Sequence, residues 1–288
     1  MLSVVLITHN EESNLPRTLG SVIPLVREGR GEIIVVDSGS TDRTLEIARS
    51  FGAKVFVEPW KGFAAQKNSA MEKAAGDWVL QLDADESLES GLAGEIYAAI
   101  RGLAAGDLEG KNSLDAVEKV MALEEAERKG PDLEYAGIWI PRKNFFLGRW
   151  IRHGGFYPDP KLRLVRRGAG KFEEYGAHPT IKIDGPAGRL KHALLHHAYP
   201  TLRGYIDHMN SYSSAGATIA VAQGHRSFSL INIVVRPLLT FIYNYFIRLG
   251  FLDGREGLLL HLYHSVYVSW KYAKAWELAR GSSRNPQT

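Results

Sequence analysis

Four short apolar runs open the chain, at residues 4–7, 32–36, 54–57 and 78–82, and helical periodicity fills the gaps between them at 16–30, 42–51 and 64–75. This alternation predicts an α/β fold with a mostly parallel central sheet and helices on both of its faces. The runs are apolar throughout rather than alternating, as expected for strands buried on two sides. Ser13 and Asn14 precede Pro16, and Ser40 and Thr41 precede Arg43, so side-chain oxygens are expected to cap two helix N-termini.

The pattern changes after residue 100. Residues 103–134 are charged and lack aromatics; 115–129 reads as one helix capped by Ser113, in a solvated insertion. From 135 to 197 strands return, with tryptophan, tyrosine, arginine and histidine interleaved with glycine, as in loops that carry binding specificity or in a plain hairpin layer. The stretch 228–247, FSLINIVVRPLLTFIYNYFI, has about the ~20 residues that a bilayer-spanning helix needs. Arg236-Pro237 interrupts it, and an arginine at mid-bilayer costs ~2.5–3.5 kcal/mol. Together with Arg248, Arg255, Lys271, Lys274 and Arg280 and the aromatics Tyr243, Tyr245, Tyr263, Tyr267, Trp270, Tyr272 and Trp276, it reads as helices lying in a membrane interface, or as a helical cap over the sheet. The expected organisation is a domain over 1–225 and an amphipathic, membrane-associating helical region over 226–288.

Composition narrows the chemistry. A formal net charge of +3 gives no global case for nucleic acid, and the absence of cysteine excludes disulfides, thiolate metal sites and cysteine nucleophiles. The N-terminus MLSVVLITHNEE lacks a basic leader region, so a cytoplasmic protein is expected.

The turn after the first run, Thr8-His9-Asn10-Glu11-Glu12, has no glycine and no dinucleotide loop, and no GxxxxGK[ST] occurs. The second run ends in Asp37-Ser38-Gly39-Ser40-Thr41-Asp42, a carboxylate at the carboxyl edge where open α/β sheets bind ligands. Asp37 can accept from a base N–H or ribose hydroxyl there, while Asp42 suits a helix cap. The fourth run ends in Asp83-Ala84-Asp85-Glu86. A DxD pair at a strand end can bridge a divalent cation to a diphosphate, since Mg2+ and Mn2+ are held by one or two carboxylates plus substrate phosphates. Alternatively Asp85, Glu86 and Ser87 cap a helix from Leu88. His192, His196 and His197 lie in a strand-like run without HExxH, which makes zinc a poor reading.

Several of these segments resemble the motifs of family 2 glycosyltransferases with the GT-A fold. They are SVVLITHNEE at 3–12, IIVVDSGSTDRT at 33–44, GFAAQKN at 62–68 and GDWVLQLDADE at 76–86. PRKNFFLG at 141–148, GGFYPD at 154–159, LRL at 162–164 and RLGFLDG at 248–254 are similar to the subgroup of lipopolysaccharide-core glycosyltransferases. The resemblance implies an inverting, metal-dependent transfer of sugar from a nucleotide-diphosphate donor to an anionic, lipid-linked or lipopolysaccharide-core saccharide, on the inner face of the cell membrane. Thr8, Asn10 and Glu11 would line the nucleoside pocket, Asp37 would hold base or ribose, and Lys67 would approach the phosphates. Asp83 and Asp85 would hold Mg2+ or Mn2+ and the diphosphate.

The general base is where the chain departs from the family, whose members carry His-Glu where His178-Pro179 stands. Asp159, Glu173 and Glu174 remain, with Asp159 favoured because it follows a Gly-Gly-aromatic loop; His178 would touch the metal or leaving phosphate. The basic residues Arg142, Lys143, Arg149, Arg152, Lys161, Arg163, Arg166 and Arg167 suit a phosphorylated acceptor or are solvated strand-face charges. Competing readings are transfer to another polysaccharide or glycolipid, a haloacid-dehalogenase-type phosphatase, whose nucleophile would end the first strand, and a non-catalytic nucleotide-sugar-binding module.

Overall fold

The structure, a computed structural model, describes residues 1–102, 135–173 and 179–284; the expected helix at 115–129 lies outside them. The strands are β1 (Leu2–Thr8), β2 (Gly31–Asp37), β3 (Lys54–Val57), β4 (Trp78–Asp83), β5 (Glu86–Leu88), β6 (Gly137–Ile140), β7 (Arg142–Phe146), β8 (Arg149–Trp150), β9 (Lys161–Arg166), β10 (Gly170–Glu173), β11 (Thr180–Ile183), β12 (Ala187–Arg189) and β13 (Leu194–Tyr199). The chain divides into two compact units, Met1–Arg142 with Pro160–His196, and Lys143–Asp159 with His197–Thr288.

The first unit is built on a seven-stranded sheet of order β12-β6-β9-β4-β1-β2-β3. β1 pairs in parallel with β2 on one side and β4 on the other, β2 with β3 likewise, and β9 runs antiparallel between β4 and β6. The α/β class with a mostly parallel sheet is therefore what the chain adopts. Because strand side chains alternate between faces, Val4, Leu6, Ile33, Val35, Leu80 and Leu82 enter one core while Val5, Ile34, Val36 and Val79 enter another. Helices α1 (Leu15–Val26) and α4 (Leu92–Ile100) cover the first face through Leu15, Leu19, Val22 and Ile96, and α3 (Phe63–Glu72) covers the second through Ala64, Ala70 and Met71. Each fully buried Leu, Ile or Val contributes about 1.5–3 kcal/mol. β3 differs from expectation: it is an edge strand, with Val57 exposed.

Helix starts differ too. The Asn14 side chain makes no cap; its amide donates to Glu11 instead. Helix α2 (Thr44–Ser50) is held by Asp42, whose carboxylate accepts from the Thr44 N–H at 3.0 Å, while Ser40 is engaged with Asp37. No helix starts at Leu88: β5 follows the Ala84–Asp85 turn, and α4 begins at Leu92 behind Gly91. Asp85, Glu86 and Ser87 are therefore not helix caps.

In the second unit β7 and β8 form a hairpin with Phe145 opposite Trp150. Its core gathers Phe146, Ile151, Tyr205, Met209 and Leu260, with Tyr199, Tyr263 and Tyr267 packed against them. The helix Leu202–Ala222, capped by the Thr201 hydroxyl, lies along the helix Gly254–Arg284 through Ala217, Ala220, Tyr272 and Ala275. Asp253 accepts from the backbone N–H groups of Arg152 (3.2 Å) and His153 (2.8 Å), and the Gly154 N–H donates to the Arg248 carbonyl at 2.8 Å. The segments 154–159 and 248–254 are thus brought together. Gly154 adopts φ +65°, and a Cβ there would overlap the His261 ring.

Candidate active site

Register places two aspartates on either side of the carboxyl end of β1: Asp37 opposite Thr8 on β2, and Asp83 opposite Ile7 on β4. Two strand spacings separate them, about 10 Å between backbones. Asp37 is fully buried. Its carboxylate accepts from the N–H groups of Gly39 (2.9 Å) and Ser40 (2.7 Å) and from the hydroxyls of Ser40 (2.6 Å) and Thr8 (2.7 Å). Burial alone would raise its pKa, but these donors outweigh burial and hold it below the usual carboxylate range. Its partners are protein groups, so it shapes the turn that carries Ser38 to Thr41. Asn10, at φ +56°, closes that turn: its N–H donates to the Ser40 hydroxyl and its side-chain carbonyl accepts from the Thr41 N–H, both at 2.8 Å.

Asp83 lies in a network of alternating charge. Lys67 on α3 donates to one carboxylate oxygen at 2.6 Å, and Arg163 on β9 donates to the other. Arg163 also reaches Glu86 at 2.9 Å, and Arg142 reaches the same Glu86 oxygen at 3.1 Å. Burial opposes the charge on Asp83, but Arg163 and then Lys67 hold its pKa well below the carboxylate range. For Arg163 burial is likewise outweighed by Asp83 and Glu86, which raise its pKa. For Lys67 burial prevails and its pKa falls, with Asp83 opposing and Arg163 reinforcing. Arg142 and Arg163, expected from sequence either to bind a phosphorylated acceptor or to be solvated strand-face charges, are ion-paired within this network.

Asp85 is turned to a different partner. Its carboxylate lies 3.3 Å from Nε2 of His196 on β13, a strand whose antiparallel register sets His196 opposite Glu86 on β5. Burial pushes the Asp85 pKa up, but His196 outweighs burial and leaves it lowered. The turn that presents both aspartates is pinned from below, where the Thr18 hydroxyl of α1 donates to the Ala84 carbonyl at 2.6 Å. Glu11 is half-buried; burial first, then the charges of Asp85, Asp42 and Asp83, raise its pKa against the Asn14 hydrogen bond.

The donor chemistry at Asp85 and His196 fits a divalent cation. A carboxylate suits Mg2+ or Mn2+ when substrate phosphates complete the shell, and of the two ions the imidazole favours the transition metal Mn2+. Among the described residues no group of three or more His, Asp or Glu could hold a metal by itself. Asp83, with both oxygens hydrogen-bonded to cations, is the poorer ligand of the two.

Residues 3–171 match the family model described as glycosyl transferase family 2. The chain belongs to that family. It is 28% identical over 288 residues, 96% of this chain and 92% of the relative, to the lipopolysaccharide core biosynthesis glycosyltransferase LpsC of Rhizobium meliloti. It is also 28% identical over 99% of its length, and 89% of the relative's, to an uncharacterized glycosyltransferase of Rickettsia typhi. Among solved structures, glucosyl-3-phosphoglycerate synthase from Mycobacterium tuberculosis, in complex with Mn2+, uridine diphosphate and glucosyl-3-phosphoglycerate, matches at 34% identity. That match has a TM-score of 0.28 and covers 30% of this chain and 34% of the other.

In this glycosyltransferase Thr8, Asn10, Glu11, Asp37, Lys67, Asp83 and Asp85 all belong to the carboxyl edge of one sheet or the helix beside it. Asp159 belongs to the second unit, where the Asn144 amide donates to it at 3.0 Å and also to the Phe156 carbonyl. Its backbone has φ +34°. Glu174 and His178 lie outside the described residues. Sequence reasoning missed His196 as the partner of Asp85, and also missed the setting of Asp83: Arg163, Glu86, which accepts from the Asp83 N–H at 3.1 Å, and Gln81, whose amide donates to the Asp83 carboxylate at 3.2 Å. A usable signal was the period of two along Leu194–Tyr199, which puts His196 and Leu194 on one face.

Proposed function

We propose that this glycosyltransferase moves a sugar, with inversion, from a nucleotide-diphosphate donor to a lipopolysaccharide-core or related lipid-linked saccharide. The observation that carries the reading is the Asp83-Ala84-Asp85 turn at the carboxyl end of β4, with β1 between it and the Asp37 socket on β2. The nucleoside lies against the turn organised by Thr8, Asn10 and Asp37, and the diphosphate against the Asp83–Asp85 turn. Asp85 and His196 would hold the cation. When bound, Mg2+ or Mn2+ neutralises charge on the departing diphosphate. Asp83, fixed by Lys67 and Arg163, keeps the turn in shape and adds little net negative charge where phosphates must approach.

Asp159 is the base that takes the acceptor hydroxyl's proton, oriented by Asn144. Pro179, where the resemblance implies a glutamate, has no proton-accepting side chain. Lys143 and Arg152 lie 4.5 and 4.1 Å from the centre of the Trp150 ring, a pairing of cation and aromatic face that suits an anionic saccharide. Near full-length likeness to LpsC supports the core-saccharide acceptor.

The test is a panel of uridine, guanosine and adenosine diphosphate sugars offered with a core oligosaccharide, reading nucleoside diphosphate release. One donor should be consumed only with Mg2+ or Mn2+. Asp159→Asn should slow transfer about 10²–10⁴-fold with donor affinity retained. Release that is equal in the variant removes Asp159 as base; no release from any donor removes the whole reading.

A further inference from the structure

More than half of the large apolar side chains exposed among the described residues fall between Phe228 and Leu252. Within that stretch the usual order of a surface helix is inverted. Ile231 and Ile247 are 68% and 67% exposed, and Leu238, Leu239, Ile242 and Phe246 are exposed as well. The polar side chains Asn232, Thr240 and Asn244 are half-buried, together with only Ile233, Phe241 and Tyr245 among the larger apolar and aromatic ones. A water-facing helix buries its apolar stripe and shows its polar one. Two π-helical turns, Ile231–Val235 and Tyr243–Ile247, flank the α-helix Arg236–Ile242 and break the simple 3.6-residue period.

Charge follows the same logic. Between Gln223 and Leu252 there is no acidic residue, while Arg226, Arg236 and Arg248 are present. Arg236 donates to the Tyr272 hydroxyl and lies 5.1 Å from that ring's centre, which ties it to the helix Gly254–Arg284. Arg226 and Arg248 are exposed. No helix among the described residues is long and apolar enough to cross a membrane.

We propose that residues 228–252 dock the protein on an anionic phospholipid bilayer, lying in the interface with apolar side chains at the acyl boundary and Arg226 and Arg248 among the headgroup phosphates. This narrows the membrane-associating region expected over 226–288. Tyr263, Tyr267 and Trp270 pack into the unit's core, Tyr272 is buried, and the Lys274 ammonium is bonded to Asn210, Ser213 and Ser214. The long helix is the support and the preceding stretch is the contact. The inference does not rest on the catalytic reading, and an inactive chain tests it equally well.

The full chain is sedimented with phosphatidylcholine vesicles, with and without phosphatidylglycerol. Binding should require phosphatidylglycerol, weaken with salt, and fall about fivefold in Arg226→Gln. The triple variant Leu239→Glu, Ile242→Glu, Phe246→Glu should lose at least about tenfold in vesicle binding, and Leu278→Glu, an exposed apolar side chain elsewhere, should not. Because the chain has no cysteine, Leu239→Cys and Leu278→Cys can each carry a single environment-sensitive dye, which answers even if the triple variant fails to fold. The dye at 239 should shift to the blue on anionic vesicles and the dye at 278 should not. Equal binding by wild type and triple variant, or no shift at 239, overturns the proposal. So does a lipid-free dimer that the triple variant disperses while vesicle binding stays unchanged, since the face would then meet a second copy.

Discussion

In the first unit the carboxylates at the sheet edge are matched, although the Nε of Arg163 has no hydrogen-bond partner: Asp37 accepts four hydrogen bonds, Asp83 is held between Lys67 and Arg163, and Glu86 between Arg142 and Arg163. In the second unit His261 and Tyr205 are buried with ring nitrogens and a hydroxyl that have no hydrogen-bond partner, among Phe156, Tyr245 and Tyr199. The first arrangement keeps charge in fixed positions at the carboxyl edge of the sheet. The second keeps titratable groups neutral inside an aromatic core. Matched charge is costly to break from one side, whereas orphaned polar atoms are a standing penalty that substitution can relieve.

The largest effect should come from breaking the matched set. Arg163→Met leaves Asp83 and Glu86 without their shared partner and should destabilise the first unit by about 3–5 kcal/mol, read by denaturant unfolding. A loss below about 1 kcal/mol would mean that Lys67 and Arg142 suffice, and that the network is looser than its distances indicate.

Acid separates the two units. His261 has its pKa pushed down to about 4 by burial and then by His264, with Asp253 opposing. A depressed histidine keeps the folded state neutral while the unfolded chain takes up a proton. Its stability is fully present above the ordinary value of 6.5 and declines as pH falls from there toward 4. At the lower limit the loss is roughly 3 kcal/mol for this one group. The lowered pKa values of Asp37, Asp83 and Asp85 act only as pH falls through the ordinary carboxylate value of 3.8 and below. Hydrogen exchange between pH 6.5 and 4 should therefore show the second unit weakening first. His261→Leu should flatten its slope by about one proton, near 1.4 kcal/mol per pH unit. The same slope in the variant would assign the effect to other groups.

Smallest of all should be Tyr205→Phe. Burial raises the Tyr205 pKa, and its hydroxyl lacks a partner, so removal should leave stability unchanged or raise it by up to about 1 kcal/mol. A loss above that would reveal a partner for the hydroxyl.

The same contrast decides what could be read in the sequence. β1, β2 and β4 were legible because both faces are buried, and the site aspartates because they end those strands. The assumed caps failed because Ser40 and Asn14 are engaged elsewhere, with Asp37 and Glu11, through contacts that local propensity does not encode. The sequence around His196 speaks only against zinc. Its pairing with Asp85 depends on β5 meeting β13 across more than a hundred residues. Residues 228–252 were legible as apolar, but which of their faces is bare depends on packing against the later helix.

The central claim is that Asp85 and His196 hold the cation while Asp83 shapes the turn. Mn2+ binding by the full chain, measured by electron paramagnetic resonance with a nucleoside diphosphate present, tests it most directly. His196→Gln and Asp85→Asn should weaken Mn2+ affinity by at least about 10–100-fold, with nucleotide still bound in the absence of metal. Undiminished Mn2+ affinity in both variants would contradict the account.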